Sequence, residues 1–139
     1  MAVFAGCGSG DSTNAAAEEA AAPLTKAEFV KQAEQICTKG LKEKEQAVSA
    51  ALKKGAGSNP KEIEKLVEET ILPSYGSIVE QLGELGVPEE GKAEVEKMVS
   101  DFESALSTVE SEPVKSTKKD PFDAVDKAAA AYGIETCSL

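Results

Sequence analysis

The sequence predicts an all-α protein, an antiparallel up-down bundle of three long helices plus a short fourth. Three observations lead there. Ala, Glu and Lys are abundant, Trp is absent and β-branched runs are short, a composition that favours helix. Apolar residues recur at three- and four-residue spacing in three long stripes and one short one, the period of an amphipathic helix. Cap and breaker residues stand at the ends of those stripes. At 139 residues the chain suits one domain.

The first helix opens at Thr25-Lys26-Ala27-Glu28, a capping box with Thr25 as N-cap and Glu28 reaching back. Its stripe is Phe29, Ala33, Ile36, Cys37, Gly40, Leu41, Val48, Ala51 and Leu52. It stops near Lys53-Lys54-Gly55, where lysines suit the helix dipole and glycine takes a left-handed cap. The second helix starts at Asn59-Pro60, a cap followed by a first-turn proline. It carries Ile63, Leu66, Val67, Ile71, Tyr75, Ile78, Val79, Leu82 and Leu85. Pro73 interrupts this stripe without changing its phase, so a kink is expected, with the Tyr75 hydroxyl as a partner for freed backbone groups.

Gly86-Val87-Pro88 closes the second helix and opens a third, with Val95, Met98, Val99, Phe102, Leu106 and Val109 inside. After residues 111–119, Asp120-Pro121 starts the short fourth helix, which carries Phe122, Val125, Ala129 and Tyr132 and ends at Gly133. Tyr75 and Tyr132 fall on apolar faces, which points to core packing. No apolar run is long enough to cross a membrane.

All 15 cations are lysine, against 25 acids, for a formal charge of −10. That balance argues against nucleic acid as a partner, because phosphate binding needs concentrated Lys and Arg. It also argues against electrostatic docking on an anionic membrane face. With no histidine there is no imidazole base or metal ligand. Glu68-Glu69 and Glu89-Glu90 are adjacent pairs, which on a helix diverge by about 100° instead of converging. Glu64 and Glu68 share a face, a weak Ca²⁺ pattern that is more often a solvated surface. Gly8-Ser9-Gly10 and Gly55-Ala56-Gly57 lack the strand and lysine of a phosphate loop. The expectation is a non-enzyme with no catalytic residue, no cofactor and no metal.

The N-terminus has a different logic. Phe4-Ala5-Gly6-Cys7 resembles the lipobox of bacterial lipoproteins, with small residues before the cysteine and Phe4 where Leu is usual. The resemblance implies that Cys7 receives a diacylglycerol and becomes the mature N-terminus. Residues 1–6 would then be the remnant of a signal whose basic, apolar start lies upstream. Two acyl chains on one cysteine give firm anchoring, where a single chain is marginal. Residues 8–23 have no large apolar side chain, so residues 7–24 are expected to be a disordered tether spanning about 20–25 Å. The helical domain occupies residues 25–139. The competing expectation is a chance Ala-Gly-Cys at an ordinary terminus.

If Cys7 is lipidated, Cys37 and Cys137 remain as a pair, in a compartment where disulfides persist. Helix lengths offer a check. At 1.5 Å per residue Cys37 lies about 18 Å along the first helix, and a fourth helix returning about 18 Å from the far end brings Cys137 to that height. No Cys-x-x-Cys motif or neighbouring Arg or His marks a redox pair.

Ala33-Glu-Gln-Ile36-Cys37 and Tyr132-Gly-Ile-Glu-Thr-Cys137 are similar to the two ends of a group of small, helical, exported proteins of actinobacteria, many with a lipobox. The resemblance implies secretion, a helical fold and a Cys37–Cys137 bridge, and no particular activity.

The short fourth helix is expected to cover only the far half of the groove between the first and third helices. A notch near Phe29, Ala33, Val99 and Phe102 would stay open toward the tether and take an apolar ligand or a partner helix. The plainer expectation is that the two helices close up there. Together these readings describe a domain lipid-anchored on the outer face of the cell membrane, serving as a binding or structural module. Its alternatives are a secreted soluble apolar-ligand or lipid-binding protein and, further off, a carboxylate-dependent enzyme.

Overall fold

A computed structural model describes residues 23–137. The signal remnant, Cys7 and the tether up to residue 22 lie outside the described residues. The described chain is helical, without strands: α1 Lys26–Lys53, α2 Pro60–Leu66, a π-helical segment Val67–Ile71, α3 Leu72–Glu84, α4 Lys92–Ser111, α5 Pro113–Ser116 and α6 Asp123–Tyr132.

Local chemistry sets most of the ends. The capping box forms: Glu28 N donates to Thr25 Oγ1 at 3.3 Å and Thr25 N donates to Glu28 Oε2 at 3.0 Å. At the other end of α1, Ala56 N reaches Ala51 O at 3.1 Å and Gly55 N reaches Leu52 O at 3.0 Å, the Schellman pattern. Asn59 Oδ1 accepts from Glu62 N at 3.1 Å ahead of α2.

Pro73 acts upstream of itself. The helix widens into the π segment over Val67–Ile71 and continues into α3 with right-handed helical geometry at both junctions. One extra residue in the turn accommodates a proline that can donate no hydrogen bond. The Thr70 carbonyl is taken by the Ser74 hydroxyl at 2.7 Å, whereas the Tyr75 hydroxyl accepts from Lys44 Nζ at 2.6 Å.

Two elements depart from the sequence reading. The third helix begins at Lys92, later than Pro88, because Gly91 takes φ +78° and turns the chain into it. Residues 112–121 are not a plain connection: they contain α5, and they bring the chain back from the end of α4 to Phe122, which packs on Phe102 midway along that helix. As a result α6 covers the half nearest the start of α1, the reverse of the expected placement. Phe122, before α6, packs on Phe102 and Tyr75 at ring distances of 5.4 and 4.6 Å. Tyr132, its last residue, meets Phe29 edge-on at 6.0 Å and donates to the Glu90 carbonyl at 2.7 Å.

The core is built from Phe29, Ala33 and Cys37 of α1, Tyr75 and Ile78 of α3, the Val95–Val109 stripe of α4, and Val125, Ala129 and Tyr132 of α6. No residue of α1 beyond Gly40 is buried, and Leu52 is 50% exposed. The predicted stripe through Val48, Ala51 and Leu52 is therefore not core, since α1 packs mainly on α3 and the π segment, and the end of α6 meets only the first turn of α1, through Tyr132 and Phe29.

Candidate functional site

Cys37 and Cys137 form a disulfide across 100 residues, with Cα atoms 5.2 Å apart. The bond pins the tail that follows α6. Ile134 N closes α6 on Ala129 O at 2.8 Å, after which Glu135 N donates to Glu34 Oε1 at 3.3 Å and Thr136 Oγ1 to Glu34 O at 3.4 Å. Cys37, Ile134 and Cys137 are all buried.

The tail forms one wall of an apolar cavity of about 60 Å³. Val79, Leu82, Gly83 and Gly86 face it from α3 and its end, and Val95, Met98, Val99 and Phe102 from α4. Val125 and Ala129 of α6, Phe29 of α1, and Ile134 and Cys137 of the tail complete it. The spacing 79, 82, 83, 86 is one face of a helix, as is 95, 98, 99, 102. Gly83, Gly86 and Val87 are exposed and Val99 is half-buried, so the mouth lies between α3 and α4. At Gly83 a β-carbon would meet nothing within 4 Å. Gly83 therefore leaves this part of the rim without a side chain.

The predicted notch residues part company here. Phe29, Val99 and Phe102 line the cavity together. Ala33 is fully buried on α1 and is not among the lining residues. The opening faces between α3 and α4, not between α1 and α4, where α6 lies. Sequence reading missed Gly83 and took Gly86 only as the end of the helix; the available signal was a pair of small residues three apart at the end of the apolar stripe.

A second cluster is polar. Lys44 Nζ sits 2.6 Å from Tyr75 Oη and 4.4 Å from the centre of its ring. Partial burial pulls the Lys44 pKa down, with Asp126, Asp120 and Glu45 opposing. Burial, then Asp120 and Asp126, pushes the Tyr75 pKa up to about 12. The Tyr132 pKa is also raised, by burial and then by Glu90 and Glu94. Among the described residues these groups tie helices together: α1 to α3 through Lys44 and Tyr75, α6 to the start of α4 through Tyr132. The outer half of α1 lines an open trough of about 730 Å³ with Leu41, Lys44, Val48 and Leu52.

The described residues contain no group of three or more Cys, Asp or Glu arranged to hold a metal ion. Glu64, Glu68, Glu69, Glu89 and Glu90 are all exposed. No described helix is long and apolar enough to cross a membrane. No family model, no curated protein and no solved structure matches the chain.

Proposed function

We propose that this chain is a lipid-anchored extracytoplasmic helical domain acting as a non-enzymatic binding module, with an apolar group of its ligand seated between α3 and α4. The observation that carries this reading is the cavity itself. Its lining is almost wholly apolar, it opens to solvent past Gly83 and Val99, and it is closed on its inner side by the disulfide-bonded tail. Concave, mostly apolar sites are where small ligands and anchor side chains bind.

The scaffold in this reading is an up-down antiparallel bundle, supported by paired contacts. Gly40 faces Ile78 while Lys44 faces Tyr75. Tyr75 meets Phe102 while Leu82 shares a wall with Val95 and Met98. Tyr132 reaches Glu90 while Phe122 touches Phe102. In each pair one residue number rises as the other falls. Anchoring rests on the lipobox-like Phe4-Ala5-Gly6-Cys7, and export is supported by a disulfide of a kind that persists in oxidising compartments.

Xenon tests the site. Under xenon pressure, methyl NMR of the full chain is expected to shift Val79, Leu82, Val95, Val99 and Ile134 ahead of other methyls, as a dry apolar void admits the gas. Unchanged methyls at these five positions would remove the cavity as a site.

A further inference from the structure

The cavity's size and surroundings identify the chemistry of its occupant. A volume of about 60 Å³ equals roughly two water-sized groups, and is well below the roughly 150 Å³ that takes a benzene ring. An acyl chain would leave most of its length in water, and an aromatic ring would not enter. One short aliphatic side chain fits.

The segment that forms the two banks of the mouth carries one-sided charge. Residues 79–103 carry eight carboxylates and two lysines, a formal charge of −6. Both lysines are already paired within α4, Lys92 with Glu96 at 4.0 Å and Lys97 with Asp101 at 2.5 Å. Glu80 lies three residues before Gly83, and Glu103 four residues after Val99, the spacing at which side chains are neighbours on a helix surface. Both are exposed and have no cation within 4.0 Å among the described residues. An anionic ligand meets repulsion on both banks, and a cationic one meets two unneutralised carboxylates.

We propose that the α3–α4 mouth is a docking site for a basic segment of a partner protein. One aliphatic side chain of that segment inserts past Gly83 and Val99, and flanking Lys or Arg residues lie over Glu80 and Glu103. This rests on the cavity being the binding site. It adds the partner's chemistry: the plug supplies burial, and complementary charge supplies steering and selectivity.

The test uses the full chain and three fluorescein-labelled helical peptides: one of Lys and Ala with a central Leu, the same without Leu, and the same with Glu for every Lys. Fluorescence anisotropy is expected to show binding of the first, at least tenfold weaker binding of the second, and none of the third. Amide NMR shifts on binding should concentrate in residues 79–103. Gly83→Leu fills the mouth from a position where an added side chain meets open space, and should weaken the first peptide at least tenfold. The double variant Glu80→Gln/Glu103→Gln should weaken it about as much while leaving the xenon response unchanged. Equal binding with and without Leu, or no loss in both variants, would overturn the proposal. Should xenon enter while the first peptide fails to bind, the docking claim falls and the cavity stands; should xenon fail as well, both fall.

Discussion

Gly40 and Ile78 are in contact with no room between them for a side chain at position 40. A β-carbon on Gly40 would lie 2.4 Å from Cγ1 and 2.7 Å from Cδ1 of Ile78, which is itself fully buried. The close approach sets how α1 seats on α3, one turn from the disulfide and one turn from Lys44. Gly40→Ala gains about 1 kcal/mol of helix propensity but overfills a tight site, where added methylenes cost about 1–3 kcal/mol. Gly40→Val should destabilise further, since it adds bulk without the propensity gain of Ala. Urea unfolding should show both losses, and Ile78→Val should restore part of each, because the two positions compete for the same space.

The covalent tie carries a larger share. Closing a loop across 100 residues is worth about 4–5 kcal/mol in the chain-entropy picture, against about 5–15 kcal/mol for a whole domain. Reduction is expected to lower the guanidinium midpoint by a corresponding amount. It should also release the tail, so that the backbone amides of Ile134 to Cys137 exchange with solvent long before those of α4. Equal exchange in the two regions after reduction would count against the tail as a separately held wall.

Much of this was readable beforehand, for reasons that differ by element. Thr25, Asn59 and Gly133 mark helix ends in sequence and in structure because capping is local chemistry, settled within four residues. The cysteine pairing was readable as well, although its supporting path was not: α6 covers the near half, and the tail then doubles back along α1 to Cys37. The four residues of α5 have no apolar period to read. The outer half of α1 shows the opposite failure, since Leu52 has the right spacing but burial requires a facing element. The cavity was half legible. Phe29, Val99 and Phe102 announce themselves as large apolar side chains, whereas Gly83 and Gly86 shape the mouth by what they lack.

The Lys44–Tyr75 pair gives the fold an alkaline signature. The Tyr75 hydroxyl loses its proton near pH 10 when unfolded and only at about 12 when folded. The native state therefore holds one more proton than the unfolded state between those values, and stability falls as pH rises through that window. Lys44 has the opposite sign, its pKa being lowered, so its contribution rises with pH below about 10.5. Stability measured from pH 9 to 12 should decline above about 10, and Tyr75→Phe should lessen the decline, leaving the part contributed by Tyr132. At pH 7 the same variant should cost at least about 1 kcal/mol, the share of the hydrogen bond from Lys44 alone. An unchanged alkaline slope in Tyr75→Phe would contradict this assignment.

Gly91 is held by two constraints at once. Its φ of +78° suits glycine, and a β-carbon there would lie 2.4 Å from Cε2 of Tyr132. Gly91→Ala should accordingly cost more than Gly55→Ala, whose φ is also positive but where nothing lies within 4 Å. Thermal melts of the two variants, compared at equal concentration, check the order.

The most direct test of the whole assignment is non-reducing peptide mass spectrometry of the protein expressed from its native locus and recovered from the membrane fraction. The expected result is a mature chain that starts at Cys7 carrying a diacylglycerol, together with a linked peptide pair joining Cys37 to Cys137. Recovery of an unmodified Cys7, or of Cys7 bonded to either of the other two cysteines, would contradict it.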